Sequence, residues 1–379
     1  MNSKNDHKKI VIKSINQALT KRILPFLFAV SLFADFSLFA NNRSLDRPLL
    51  LGPQYPIMYL STTFLPDSAF VLPQGDFLFQ ITYLETNSYG FSGNSQKRYS
   101  EDAEPDQFKT EGYEGYSVYI DGESHRRVAR LHLGLLEDLE VQLIYRDIVF
   151  NGGHLDSMTE NFHFSFDLGN QNRDRTSRNK LAFYVIDNET GELVFKLTET
   201  SHRYRKESVT LGLKFGLSQG DYSALSLSFL SNFGDYYIEK KINEANDDPD
   251  EDHKYFNDGV ASLNFSTRFA SWSLHTAIAV AEVKKSLFED SPDYISYLFA
   301  GINWDAGNSW DVLTQLMRYT SPYPKDSPSS LGNEIMEIGL GMRWLFSSNA
   351  CLEFGFVENQ TQGPQNMDIT FFGAIAIEL

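Results

Sequence analysis

The sequence is almost without cysteine. Cys351 is the one thiol in 379 residues, so no internal disulfide can staple the fold and stability must come from pairing and packing. After residue 40 the chain also lacks any long unbroken apolar run, which excludes a transmembrane helix, since one needs about 20 such residues. Basic charge is scarce, with 33 Lys and Arg against 50 Asp and Glu. Nucleic acid is therefore excluded as a partner, because phosphate binding needs a basic surface. No Walker or dinucleotide glycine pattern is present, and no cofactor is expected.

What is present begins with an export signal. Lys4, Lys8, Lys9, Lys13, Lys21 and Arg22 precede the apolar run ILPFLFAVSLFA (23–34), and small residues follow up to Ala40. A basic start, an apolar stretch too short to span a bilayer and a small-residue end predict a signal peptide over 1–40. Without that segment 27 basic residues face 48 acidic ones, net −21. The acid is clumped in EDAEPD (101–106), NDDPDED (246–252) and EDSPD (289–293), between strand patterns. Such runs form solvated loop tips, with divalent cations as their candidate partners.

The mature chain alternates apolar and polar residues in segments of about 10 residues, the pattern of a transmembrane β-barrel. In VTLGLKFGL, Val209, Leu211, Leu213, Phe215 and Leu217 share one face, and Thr210, Gly212, Lys214 and Gly216 share the other. Twelve strands are predicted, at 75–86, 115–135, 138–149, 207–218, 222–233, 257–269, 272–284, 294–304, 309–319, 333–346, 350–359 and 367–379. Every second connection is short, as in SQGD (218–221) and AS (270–271), and the others are long and polar. An even strand count with short turns at one end and long loops at the other is the plan of an outer-membrane barrel. Tyr83, Tyr89, Tyr116, Tyr145, Tyr236, Tyr237, Tyr294, Tyr297, Tyr319 and Tyr323 fall towards the long loops, while Trp272, Trp310 and Trp344 fall near the short turns. These predict two aromatic girdles at the membrane interfaces. An unpaired strand edge is costly in lipid, so the first strand must pair with the last. The last, DITFFGAIAIEL, is similar to the carboxy-terminal strand read by barrel assembly machinery, although it ends in Leu379 where an aromatic is usual.

The expected organisation is a signal peptide (1–40), a Pro-rich segment at or in the periplasmic mouth (41–74), and an all-β barrel (75–379). The barrel carries one long extracellular or constriction loop (150–206). Three stretches then carry a resemblance: GPQYPIMYLSTTFLPDSAFVLPQGDF (52–77), IDGES (120–124) and NGGHLDSMTENFH (151–163). They resemble the bacterial domain-of-unknown-function family 3187, whose pattern is matched by Gly152, Gly153, Leu155, Asp156, Glu160, Phe162 and His163, with Arg173 to Arg178 in its basic part. The resemblance implies an outer-membrane barrel and no established activity.

The long loop contains an expected helix. Ser157 and Glu160 form a capping box, Gly169 is a suitable stop, and Met158, Phe162 and Phe166 make an apolar face that would pack on the barrel wall as a plug or constriction. A hairpin is predicted in LAFYVIDNETGELVFKL, turning at Asn188–Gly191. Two chemical alternatives share this loop. Asp156, Glu160 and His163 have the spacing of carboxylate metal ligands on a helix. His163, Ser165 and Asn179 resemble the catalytic residues of outer-membrane phospholipase A, with Phe166 standing where that pattern has Asn.

By strand parity the lumen would present Arg130, His132, Glu140, Arg146, Lys214, Arg268, Arg343 and Glu353. Strand 309–319 has ambiguous parity. The leading functional expectation is a channel or facilitator for small solutes in the outer membrane of a diderm (Gram-negative) bacterium, surrounded by outer-membrane lipid. The alternatives are a filled structural or adhesive barrel and a lipid hydrolase, with enzymatic activity the lesser expectation.

Overall fold

The computed structural model describes residues 45–55, 58, 64–92, 115–165, 178–198, 204–238, 254–282, 292–323, 329–332, 334–360 and 367–379. The signal segment, the acidic runs 101–106 and 246–252 and most of 289–293 lie outside them, as do Phe166, Gly169 and Arg173. The strands are β1 (Phe77–Phe91), β2 (Tyr116–Leu136), β3 (Leu139–Asn151), β4 (Ala182–Asp187), β5 (Leu193–Thr198), β6 (Tyr204–Gln219) and β7 (Ser223–Ile238). They continue as β8 (Lys254–Phe269), β9 (Trp272–Glu282), β10 (Tyr294–Gly307), β11 (Trp310–Tyr319), β12 (Ile335–Ser347), β13 (Ala350–Asn359) and β14 (Met367–Glu378). Helix α1 (Asp156–Ser165) follows β3, and a short helix α2 (Ser329–Gly332) precedes β12.

Among the described residues, twelve of these strands form a closed antiparallel barrel in which β1 to β3 and β6 to β14 pair in sequence and β14 pairs with β1. At the closing seam Phe77 and Leu379 exchange both backbone hydrogen bonds, at 2.9 and 3.0 Å. The short turns follow their chemistry. Asn308 and Ser309 join β10 to β11, both at positive φ, as a two-residue type I′ turn requires. The predicted hairpin forms as β4–β5, with Asp187 Oδ1 accepting from the Glu189 and Thr190 amides. It joins the main sheet, which the alternation pattern does not predict. β4 pairs with the upper part of β2, from Tyr116 opposite Asp187 to Asp121 opposite Ala182, where β3 has ended.

Alternation sorts the two faces. Leu143, Leu211, Leu213, Phe229, Leu340, Met342 and Phe354 point outward and are exposed. A continuous apolar belt on a closed barrel is a surface for lipid, and it makes this an outer-membrane barrel. The cross-strand tryptophan pairs Trp272–Trp304 and Trp310–Trp344 are stacked at 5.6 and 6.0 Å near the short turns. The expected tyrosine girdle is only partly present. Tyr83, Tyr145 and Tyr294 are exposed on the outer face, whereas Tyr297 and Tyr319 are buried and share parity with the lumen residues Asn303 and Asp311. The phase of each strand, and not the position along it, decided which tyrosines face lipid. The same register resolves β11, whose Asp311, Leu313, Gln315, Met317 and Tyr319 turn inward.

The chain enters β1 over a glycine. Gly134 of β2 exchanges backbone hydrogen bonds with Gly75 and Asp76, and a Cβ at Gly134 would lie 2.0 Å from the Pro73 carbonyl oxygen. Only a bare backbone leaves room there for the incoming segment. Gly134→Ala is expected to lower the guanidinium unfolding midpoint in detergent by an amount equivalent to about 1–3 kcal/mol, the cost of overpacking. An unchanged midpoint would mean that residues 72–76 do not press on β2.

Candidate functional site

The lumen wall is built with small side chains on one side. Thr210, Gly212, Ser226, Ser228, Ser262 and Asn264 alternate inward along β6, β7 and β8. Such a wall would leave space, yet the space is filled. Every described residue from 45 to 55 and from 64 to 69 is buried, so the N-terminal segment lies inside the barrel.

Its contacts trace a rise and a return. Asp46 meets Arg268 and Ser273, close to the short turn at Ala270. Leu49 packs on Gly341, and Gln54 and Tyr55 reach the long-loop end. Phe64 packs at a tilt against Tyr297 and Phe299, with ring centroids at 5.7 and 6.2 Å. The chain then descends past Ser68 and Ala69, both on Ser266 Oγ, to Leu72, whose amide donates to Glu140 at 3.1 Å.

The lower half of this packing is ionic. Asp67 accepts from Arg130 at 2.7 Å, Arg47 at 2.8 Å and Lys214 at 2.8 Å. Glu140 accepts from Lys214 at 2.9 Å and from His132 Nδ1. Asp46 accepts from Arg268 Nε at 3.0 Å and Asn303 Nδ2 at 2.7 Å. Arg343 donates to Glu353 at 2.6 Å and to the Arg47 carbonyl at 2.6 Å. Seven of the eight expected lumen residues thus lie in this layer, and the eighth, Arg146, is buried higher on β3. The sequence reading missed Asp46, Arg47 and Asp67, the partners these residues converge on. A signal was available: ionised residues inside an apolar, Pro-rich stretch are expected to be paired when buried.

The upper half is mainly apolar and aromatic, with Arg126, Arg146 and Glu337 buried within it. Tyr55, Met58 and Phe64 join Tyr297, Tyr319, Ile335 and the inner face of β4–β5 in one core. Glu337 accepts from Tyr319 Oη at 2.6 Å and from the Gln54 amide at 2.9 Å. The Tyr55 and Tyr323 hydroxyls are 2.7 Å apart. Burial pushes the Tyr323 hydroxyl well above the ordinary phenol range, so this contact stays neutral.

The expected constriction by loop 150–206 is not what α1 does. Phe162 packs on Phe356 at 5.7 Å, and His163 lies 4.0 Å from Glu358. Both partners share parity with the exposed Leu352 and Phe354, so α1 lies against the outside of the wall at the long-loop rim. Its packed side carries Asp156, Thr159 and His163, while Met158 is exposed. The capping box also fails to form. The first helical bond runs from the Thr159 amide to the Leu155 carbonyl, Ser157 is exposed, and Glu160 instead pairs with Arg178. Glu123 of β2 supplies the cap, accepting from the His154 amide at 2.8 Å and from that of Leu155. A carboxylate at a helix N-terminus is favoured by the dipole as well as by the free amides.

Neither chemical alternative in this loop assembles. Asp156 accepts from Asn87 Nδ2 and from the Asn179 amide, Glu160 holds Arg178 and His163 faces Glu358, so the three expected metal ligands point to different partners. Ser165 Oγ donates to the Asn161 carbonyl at 2.7 Å, one turn back along α1. Residues two apart on a helix diverge, so His163 cannot activate Ser165.

The family model described as protein of unknown function (DUF3187) matches residues 37–374. The chain belongs to this family. No protein of curated function matches its sequence. Among solved structures it is similar to the COG4313 outer membrane channel from Pseudomonas putida F1, at 10% identity over 82% of this chain and 98% of that chain, with a TM-score of 0.47. It is also similar to the NanC porin (5% identity, 80% and 100% covered, TM-score 0.42) and to the P. putida toluene transporter TodX (9% identity, 81% and 90% covered, TM-score 0.36). These likenesses describe barrel shape, and what each neighbour carries is its own property.

Removing the acid at the centre of the ionic layer should be costly. Asp67→Ala leaves Arg47, Arg130 and Lys214 facing Glu140 alone, and breaking a buried pair from one side costs about 3–5 kcal/mol. Equilibrium unfolding in detergent should show a loss of this size, with Arg178→Ala, at an exposed pair, within about 1 kcal/mol of wild type. Equal, small losses for both would mean that the layer does not hold the segment.

Proposed function

We propose that this protein is a channel or facilitator for small solutes in the outer membrane of a diderm bacterium, closed at rest by its own N-terminal segment. The observation that carries the reading is how the lumen is filled. The wall of β6 to β8 is largely Gly, Ser, Thr and Asn, with Lys214 and Arg268 in its charged lower part and Leu230 and Val260 above, and the filling is a separate stretch of chain held by side-chain contacts. A barrel whose only task is to be rigid can fill its interior with its own strand side chains. A separate stretch of chain, cross-linked to a mostly small-residue wall by no covalent bond, fits a stopper in a conduit. Displacing residues 45–72 would open a path that is aromatic on the long-loop side and charged on the short-turn side.

Because the arginines of the lower layer are matched by Asp46, Asp67, Glu140 and Glu353, they supply no free anion-selective ring. The weight therefore shifts to the upper half, where aromatic and aliphatic side chains surround Arg126 and Arg146, a lining that favours weakly polar solutes with an acceptor group. The same pairing supports a second reading, a permanently filled structural barrel, since satisfied buried charges stiffen a core.

The test pins the segment to the wall. Ser68 and Ser266 bring their Oγ atoms to 3.4 Å. The Ser68→Cys/Ser266→Cys pair, reconstituted in planar bilayers, should be silent when oxidised and show discrete conductance steps after reduction. Lys214→Met, which loosens Asp67 and Glu140, should open more often than wild type. Silence from every protein, with the barrel shown folded by heat-modifiable gel mobility, would support the filled barrel instead.

A further inference from the structure

We propose that the outer face of the barrel, at the long-loop rim under α1, holds a divalent transition metal, with zinc as the best match to its donors. The site is independent of the lumen. It is formed by Glu85 of β1, Glu123 and His125 of β2, and His154 in the turn between β3 and α1.

The geometry has four parts. Glu85 and His125 are direct cross-strand neighbours, and both point outward with Glu123. One ligand atom from each of these three residues lies within 4.8 Å of the other two. His154 Nε2 is 3.6 Å from Glu85 Oε1, His125 Nδ1 is 3.6 Å from the same oxygen, and His154 Nδ1 is 4.0 Å from Glu123 Oε2. Tetrahedral zinc, with bonds of about 2.0–2.1 Å to imidazole nitrogen and carboxylate oxygen, places its ligands roughly 3.4 Å apart. The separations of 3.6, 3.6 and 4.0 Å exceed that spacing, so an ion would draw the side chains inward, with the exposed His154 turning one of its two ring nitrogens to the site.

The oxygen atoms point to a ligand. Glu123 is fully buried, and its hydrogen bonds from Asn87, His154 and Leu155 all fall on Oε1. Glu123 Oε2 and Glu85 Oε1 have no hydrogen-bond partner among the described residues. A buried carboxylate oxygen left bare costs free energy, which a cation would return. The other carboxylate–histidine cluster, Asp67 with His132 and Glu140, is fully buried and is already neutralised by Arg47, Arg130 and Lys214.

The supporting groups suit a metal as well. His125 Nε2 is 3.3 Å from Asn151 Oδ1, an acceptor that fixes the proton on Nε2 and leaves the Nδ1 lone pair towards the carboxylates. The Tyr83 hydroxyl, 2.7 Å from that Nδ1, must swing aside, and it stands at the exposed edge where it can. Gly153, at φ 66°, keeps the turn close, because a Cβ there would strike the Glu123 carboxyl group. Two oxygens and two imidazole nitrogens are a borderline donor set, suited to zinc and poor for calcium or magnesium, which prefer six or more oxygens. Bound metal would tie β1, β2 and the α1 turn together on the outer rim.

Purified, refolded protein stripped with chelator and titrated with zinc chloride should take up one ion per chain by calorimetry and elemental analysis. Glu123→Gln keeps Oε1 for the cap and should abolish uptake. His154→Ala alters a side chain that is 71% exposed and should fold normally while binding at least about tenfold more weakly. The assignment is overturned by stoichiometry near zero in folded wild type, by undiminished binding in His125→Ala/His154→Ala, or by calcium displacing zinc at equal concentration.

Discussion

One carboxylate sets the interior of this barrel. Asp67 sits on a stretch of chain with no secondary structure of its own, and it is held by Arg130 from β2, Lys214 from β6 and Arg47 from the rising arm of the same segment. Taking such charges out of water is expensive, and only a full set of short, mutually satisfying contacts makes it tolerable. That requirement is demanding in geometry. It fixes the descending arm against β2, β3 and β6, and through Arg47 it fixes the rising arm as well. Glu140 extends the network to the Leu72 amide, just before the chain passes over Gly134 into β1.

The two halves of the lumen then divide the work. The charged layer near the short turns supplies register, because a displaced segment would leave several ions unpaired at once. The aromatic layer near the long loops supplies area: Phe64 packs on Tyr297 and Phe299, and Tyr55 meets Tyr323. Burial of large aromatic side chains is the stronger of the two contributions to net stability, since buried ion pairs roughly break even against water. The segment is thus specific in position yet held in the lumen without a covalent cross-link.

Much of the architecture was legible from the sequence. Alternation, turn length and parity carry the barrel, because lipid outside and a packed interior force a period of two on each strand. The eight lumen residues follow from the same parity. What the sequence hid were relations between distant segments. Asp46, Arg47 and Asp67 read as charges in a Pro-rich leader, and nothing local says that they meet β2, β3 and β6. Ser157 and Glu160 satisfy a capping pattern, but the helix starts before Ser157, and Glu123, more than thirty residues upstream, takes the His154 and Leu155 amides at its entry. Helix α1 packs Phe162 of its expected apolar face on the wall, but Asp156, Thr159 and His163 share the packed side and Met158 is exposed. Two of the three stretches that carry the family resemblance, IDGES and NGGHLDSMTENFH, meet in space at that cap, and the third is the segment inside the barrel.

The central claim is that residues 45–55 and 64–72 occupy the lumen of the folded protein. Hydrogen–deuterium exchange on the refolded, detergent-solubilised chain tests it most directly. Peptides covering 45–55 and 64–72 should exchange as slowly as those from β2, and they should speed up in Asp67→Ala while the barrel strands stay protected. Exchange of those peptides at the rate of a free chain, beside fully protected strands, would contradict it and leave the lumen unfilled.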